Sequence, residues 1–197
     1  MLFGSAAKTA FSFFAALLIT GALSMSPASA QGRDFKDKDL KGASLRGQAL
    51  DGADFSGATL VSADFYGASL RGAKFDGAEV TNAIFTRANL AGADMRNTFG
   101  RFIVTYDTDF SQVNMEGLDL KGTNFYGANF RGANLRKTAG WGSCSNCSFR
   151  AADLRGANLM SMPQGGREGM FFGAIYDDAT IWPRWVDVAR SGAKKAQ

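Results

Sequence analysis

From Phe35 onward a large apolar residue stands at every fifth position: Phe35, Leu40, Leu45, Leu50, Phe55, Leu60, Phe65, Leu70, Phe75, Val80, Phe85, Leu90 and Met95. The series resumes at Phe110, Met115, Leu120, Phe125, Phe130 and Leu135, then at Phe149, Leu154 and Leu159, and last at Phe171, Tyr176 and Ile181. We call these positions centres. Two places before most of them stands Ala, replaced by Thr108, Thr123, Cys147 and Gly169; two places after most of them stands Gly. A period of five is neither the 3.6 of an amphipathic helix nor the 2 of a half-buried strand. A short fixed period predicts stacked coils, a solenoid.

If four such sides complete a turn, residues 20 apart stack. Phe35, Phe55 and Phe75 then form one column, Phe65, Phe85 and Phe125 another, and Phe110 with Phe130 a third; Leu50, Leu70 and Leu90 stack as well. Stacked rings add about 0.5–1.5 kcal/mol per pair beyond area burial. The Ala before each centre is predicted to point inward near a corner, where a larger residue would overpack at about 1–3 kcal/mol. Gly after the centre tolerates the backbone angles of a corner. Coils about 4.8 Å apart predict a rod of roughly seven or eight turns and about 35 Å, with end edges that need covering.

The repeats Ala53-Asp-Phe-Ser-Gly, Ala63-Asp-Phe-Tyr-Gly and Ala68-Ser-Leu-Arg-Gly resemble the pentapeptide-repeat family, whose consensus is Ala-(Asp/Asn)-Leu-x-x. The resemblance covers nearly the whole chain after residue 30. It implies an all-β fold: a right-handed quadrilateral β-helix over residues 31–183, one pentapeptide per side, with a C-terminal cap or tail over 184–197. It also implies that Asp54, Asp64, Asp94, Asp109, Asp119 and Asp153, each just before a centre, serve the repeat. Spread over successive sides they do not converge, whereas catalysis needs convergent groups in a concave site. The expectation is a smooth column without such a cleft.

The period is disturbed in three places. Between Met95 and Phe110 the register survives, with Gly100 at a centre, Ile103 at an inward small position, and Phe99, Phe102 and Val104 of undetermined direction. Between Leu135 and Phe149 one residue is lost; between Leu159 and Phe171 two are gained around Pro163-Gln-Gly-Gly. The segment Gly173 to Arg184 looks like a terminal coil closed by Trp182 and Pro183. Trp185, Val186 and Val188 are expected to lie over the open end, leaving Lys194 and Lys195 as a frayed basic terminus. The rival reading of this end is an end-to-end homodimer contact, so the expected state is a monomer or such a dimer.

Residues 1–30 read differently. Lys8 is the only charge, an apolar run extends from Ala10 to Leu23, and Ala28-Ser29-Ala30 forms an A-x-A cleavage site. This predicts a secretory signal peptide removed before Gln31. The run is short for an uncleaved span, which needs about 20 residues. No Arg-Arg pair precedes it and no cysteine precedes Cys144, so the general secretion route without lipid attachment is expected. The destination is the periplasm or exterior, or the thylakoid lumen in a photosynthetic host.

Charge adds little. The chain has 22 basic and 18 acidic residues, no histidine, and a net charge of +4, too small an excess to imply nucleic acid. Cys144 and Cys147 are the only cysteines. Zinc needs about four ligands, and there is neither histidine nor a second cysteine pair. A thioredoxin-type site needs a helix start that this repeat denies. Both cysteines fit inward positions, Cys144 as a centre and Cys147 in place of Ala; a structural disulfide, two buried thiols and redox chemistry remain in that order, export favouring oxidation.

Tyr66, Tyr106 and Tyr126 each follow a centre and fall on one face, in file with Arg46 and Thr86. Such a face can bind glycans, peptides or a partner protein, or be solvent-facing strand residues of good β-propensity. No catalytic residue, cofactor or metal is expected. The reading is an exported, non-enzymatic scaffold that binds an unknown protein or envelope component. The family also contains DNA mimics of the quinolone-resistance type that bind gyrase; those rods are cytoplasmic and acidic, unlike this chain.

Overall fold

A computed structural model of the protein describes residues 33–101, 103–164 and 169–197. The predicted export segment, Phe102 and the middle of the last interruption lie outside the described residues. Along the regular coils parallel bridges join the residue before a centre to the one 20 further on: Asp34 to Asp54, Asp54 to Lys74, Lys74 to Asp94 and Asp94 to Asn114. Four pentapeptides therefore make one turn. The Phe55 N–H donates to the Lys74 carbonyl at 2.8 Å, and the Asp54 N–H to the Arg33 carbonyl at 2.9 Å. Each coil is thus paired above and below, as buried backbone groups require.

At each corner the N–H of the small residue donates back to the preceding centre, as Ala58 does to Phe55 at 3.0 Å. The corner residue takes a left-handed conformation: φ is 66° at Gly57, and also 58° at Ser62 and Asn82 and 57° at Arg87. The residue before a centre closes the pattern from outside. Oδ1 of Asp54 accepts the N–H of Ser56 at 2.9 Å, and Asp64, Asn89, Asp109 and Asn129 do the same two residues on. That bond is the repeat-serving role of the Asp/Asn position, an Asx turn bridging each centre.

Alternation along each short extended side sends the centre inward and its two neighbours out. The first side stacks Phe35, Phe55 and Phe75 with ring centroids 4.8 and 5.1 Å apart. The third stacks Phe65 on Phe85 at 4.9 Å, but Thr105 separates that pair from Phe125. The fourth passes from Leu50, Leu70 and Leu90 to Phe110, Phe130, Phe149 and Phe171, successive rings 5.2 Å apart. The inward Ala residues from Ala53 to Ala93 are wholly buried beside them.

The second side carries Leu40, Leu60, Val80, Gly100, Leu120 and Gly140. At Gly140 the chain turns and Trp141 enters the interior, 1 % exposed, between Phe125, Phe130 and Phe149 at 5.3–5.5 Å. The missing residue follows immediately: Asn129 pairs with Ser148 and Asn134 with Asp153, 19 positions apart. Cys144 lies in the third-side file above Phe125, Cys147 takes the inward small position, and a disulfide joins them across the inside of that corner, Cα atoms 5.4 Å apart.

The C-terminal end differs from the frayed terminus expected of it. Strand β1, Ile175–Tyr176, pairs in parallel with β2, Lys194–Lys195. Lys194 N–H donates to Ala174 and Ala196 N–H to Tyr176, both at 2.7 Å, and Lys195 is paired with Asp178. The reason is register: Lys194 sits 19 residues beyond Ile175, one further coil, and backbone pairing does not depend on the side chain being apolar. Beneath this rung Trp182, Trp185, Val186 and Ala193 pack on the core, and Trp185 Nε1 donates to the Met162 carbonyl at 3.0 Å.

Candidate interaction face

Outward positions on most sides hold Asp, Asn, Ser, Thr, Lys or Arg. The third side breaks this rule over its middle coils. Ile84 and Val104 stand before its centres, bridged to one another, and Tyr66, Thr86, Tyr106 and Tyr126 stand after them. Tyr106 and Tyr126 are 42 and 43 % exposed, while Tyr66, Ile84 and Val104 are half-buried. The coil spacing brings side chains 20 apart into contact. Arg46 Cζ lies 4.3 Å above the Tyr66 ring, and Tyr106 meets Tyr126 at 6.1 Å between centroids.

Polar groups fix the file from its edges. Arg46 Nη1 donates to Asp64 at 2.8 Å, Arg87 donates to the Tyr66 hydroxyl at 3.0 Å, and Asn124 Nδ2 to the Tyr106 hydroxyl at 3.1 Å. Arg46 thus covers one face of the Tyr66 ring, and Tyr106 and Tyr126 meet at a tilt of 54°, with the Tyr66 and Tyr106 hydroxyls held by neighbours. A sugar stacking platform needs a free ring face; a protein surface can use edges and hydroxyls. The sequence had Arg46, Tyr66, Tyr106 and Tyr126. It missed Ile84, Val104 and Arg87, although an apolar β-branched residue at a normally polar repeat position was a visible signal.

The disulfide contributes nothing to this face. Cys144 and Cys147 are 3 and 2 % exposed, which removes the access that thiol exchange requires. Cys147 Sγ lies against the Phe125 carbonyl, the place where Thr108 at the equivalent corner gives its hydroxyl to the Phe85 carbonyl at 2.7 Å. The shifted carboxylates lie elsewhere: the Arg96 hydrogen bond holds Asp94 below the usual carboxylate range, and the Gly156 N–H does so for Asp177. Among the described residues no group of three or more acidic or cysteine side chains could hold a metal, and no helix is long and apolar enough to cross a membrane.

The flank is not the unbroken column expected. A cleft of about 660 Å³ opens on the second side between the coil of Asn97–Arg101 and that of Glu116–Lys121. Its cause is Gly100: with no side chain for the interior, its rung lies down on the coil below, where a Cβ would come 2.6 Å from the Thr81 nitrogen.

With five residues per side, four sides per coil and the Ala-Asp/Asn-centre grammar in place, the family follows. The chain belongs to the pentapeptide-repeat proteins. The family model for pentapeptide repeats matches in eight copies over residues 39–77, 63–99 and 106–138, and the fold is that family's right-handed β-helix. Among solved structures the chain is similar to a pentapeptide repeat protein of the Arabidopsis thaliana thylakoid lumen, 27 % identical over 64 % of this chain and 74 % of that one, TM-score 0.36. It is also similar to HetL of the cyanobacterium Nostoc, a protein involved in heterocyst differentiation regulation, 22 % identical over 76 and 78 %, TM-score 0.43. A third is QnrB1, a plasmid-mediated fluoroquinolone resistance protein, 16 % identical over 83 and 87 %, TM-score 0.43. No curated protein matches the chain.

Proposed function

We propose that this pentapeptide-repeat protein is an exported, non-enzymatic scaffold that docks a partner protein on its third side, around Tyr66, Ile84, Val104, Tyr106 and Tyr126. The observation that carries the reading is the replacement of polar repeat positions by apolar and aromatic residues on consecutive coils of this side, from Tyr66 through Ile84, Val104 and Tyr106 to Tyr126. A contiguous aromatic and aliphatic strip rimmed by Arg46, Arg87 and Asn124 has the composition of a protein interface. A rigid rod supplies the strip without ordering cost on binding. Export rests on the pattern of residues 1–30.

The test uses a photo-crosslinking amino acid placed at Tyr106, and separately at Arg136 on the first side, in cells making the full chain. The expected outcome is one discrete adduct from position 106, lost when Tyr66 and Tyr126 are changed to Ser, and none from position 136. Equal or absent crosslinking at the two positions rejects the face. A fusion of residues 1–30 to alkaline phosphatase should be active outside the cytoplasm. Mimicry of duplex DNA is disfavoured by the net charge of +4 and by the pairing of several outward carboxylates, Asp64 with Arg46, Asp94 with Arg96 and Asp153 with Arg155.

A further inference from the structure

The cleft on the second side has features that a mere packing fault lacks. In the rungs on either side the coils are fully paired. Asn114 N–H donates to Ala93 at 2.9 Å and Met95 N–H to Asn114 at 2.8 Å; Asn124 N–H donates to Ile103 at 3.3 Å and Thr105 N–H to Asn124 at 3.1 Å. In the rung between them the equivalent bonds, Asp119 N–H to Thr98 and Gly100 N–H to Asp119, are missing among the described residues. Two donors and two acceptors of the main chain are thus left facing a concave space. A cleft of about 660 Å³ falls in the size range of small-ligand sites, roughly 300–1,000 Å³.

The floor is apolar. The interior place that Gly100 leaves vacant borders a small void of about 30 Å³ among Val80, Met95, Leu118 and Leu120. The rim is charged in order along the chain direction. Glu116, which also meets Lys137 at 3.8 Å and Asn134 at 3.4 Å on the coil above, stands toward the start of the rung, while the Asp119 carboxylate accepts the Lys121 N–H at 3.1 Å. Arg101 and Lys121, one coil apart and hence in file, stand at its end.

Unpaired main-chain donors and acceptors take an extended peptide by strand pairing. We propose that this cleft binds a short peptide of about three or four residues with free termini, running parallel to the coils. Its ammonium group meets Glu116, its carboxylate meets Arg101 and Lys121, and its central residue lies over Gly100. Length follows from the distance the rung offers, about 3.3 Å per residue. The site is on a different side from the tyrosine strip and stands or falls without it.

The test titrates the 15N-labelled protein with the tripeptides Gly-Ala-Gly, Gly-Leu-Gly and Gly-Phe-Gly, and with acetylated and amidated forms of each. In the free protein the Gly100 and Asp119 amides should exchange with solvent at least about a hundredfold faster than those of Asn114 and Asn124. A free tripeptide should shift the Gly100, Asp119 and Lys121 amides with half-saturation below about 1 mM, and its blocked form should bind about tenfold more weakly. Gly100→Leu, which supplies the missing centre and lifts the rung, should abolish binding. If that variant fails to fold, Arg101→Glu, an exposed change, should weaken the free tripeptide about tenfold and leave the blocked one unchanged. No shift with any tripeptide, equal binding of free and blocked forms, or slow exchange at Gly100 and Asp119 in the free protein overturns the proposal.

Discussion

Gly100 and Gly140 stand two coils apart in the same interior file, and only one of them opens the wall. Each replaces a centre with nothing. At Gly140 the next residue, Trp141, swings inward and fills the place, and on the coil above Asn158 N–H still donates to the Thr138 carbonyl at 2.8 Å, the counterpart of the Asp119-to-Thr98 bond that is missing at Gly100 among the described residues. At Gly100 the next residue is Arg101, which stays outside, and the interior neighbour on the following side is Thr105 rather than a ring. The rung settles on the coil below and parts from the coil above. The lesson is that pairing between coils is maintained by what fills the inside, not by the backbone period. Period sets which residues could pair; volume decides whether they do.

The sharpest way to break this contrast is Trp141→Ala. The variant should lose about 3–5 kcal/mol in urea unfolding, the range for a large buried side chain. It should also make the amides of Ala139 and Asn158, which donate to Leu118 and Thr138, exchange as fast as that of Gly100. Loss of stability with those amides still protected would show that volume does not hold the rung. Trp141 Nε1 has no acceptor among the described residues. Trp141→Phe, which discards that buried N–H and keeps most of the ring, should therefore cost less than about 1.5 kcal/mol.

How much of this was legible beforehand differs by element for physical reasons. The 20-residue stacking of Phe55 on Phe75 followed from period alone, because every side has the same length. The inward Ala and corner Gly were equally readable. Trp141 was not: it lies one place off the period, and a one-residue deletion follows it, so pattern could not say whether it points in or out. The cleft was invisible for a related reason. Gly100 was recognised at a centre, but whether a vacant centre is filled or collapses depends on neighbours in space. Lys194–Lys195 reads as a tail in the sequence because its side chains are polar, though a rung is joined through its backbone.

The second probe of the irregular coils is the disulfide, which bridges the corner where the residue is lost. The Cys144→Ala, Cys147→Ala double variant should lose about 2 kcal/mol or less, since so short a loop restricts the unfolded chain only modestly. Equilibrium unfolding with and without reductant measures it: the variant should be insensitive to reductant, and the native protein should approach it only after unfolding, because the sulfurs are buried. A smaller gain is available one corner on. Ala151 occupies a left-handed corner at φ 56°, where a Cβ costs roughly 1–2 kcal/mol and Gly does not, against about 0.5–1 kcal/mol of extra entropy lost by Gly. Ala151→Gly should raise stability by about 1 kcal/mol or less; a fall would mean that corner geometry here is relaxed in solution.

The weakest lever tests whether charge outside the wall matters next to the break. Asp94 stands in the last fully paired rung before Gly100 and meets Arg96 at 2.7 Å. The Arg96 hydrogen bond, with the Arg96 N–H and charge, holds its carboxyl below the usual range against a burial cost that acts the other way. A carboxyl whose folded value is depressed stabilises the protein above the unfolded value, about 3.9, and that stabilisation is lost as pH falls through the folded value. Asp94→Asn isolates the charge, because Asn at Asn114 and Asn134 makes the same bond to the N–H two residues on. The variant should be less stable than the native protein by less than about 1 kcal/mol at pH 7, since the pair is partly exposed to solvent. The difference should shrink steadily below about pH 4 and in high salt. A difference that persisted at low pH would place its origin in the Asx turn and not in the ion pair. Asp94 would then belong with the backbone grammar of the regular coils rather than with the break beside it.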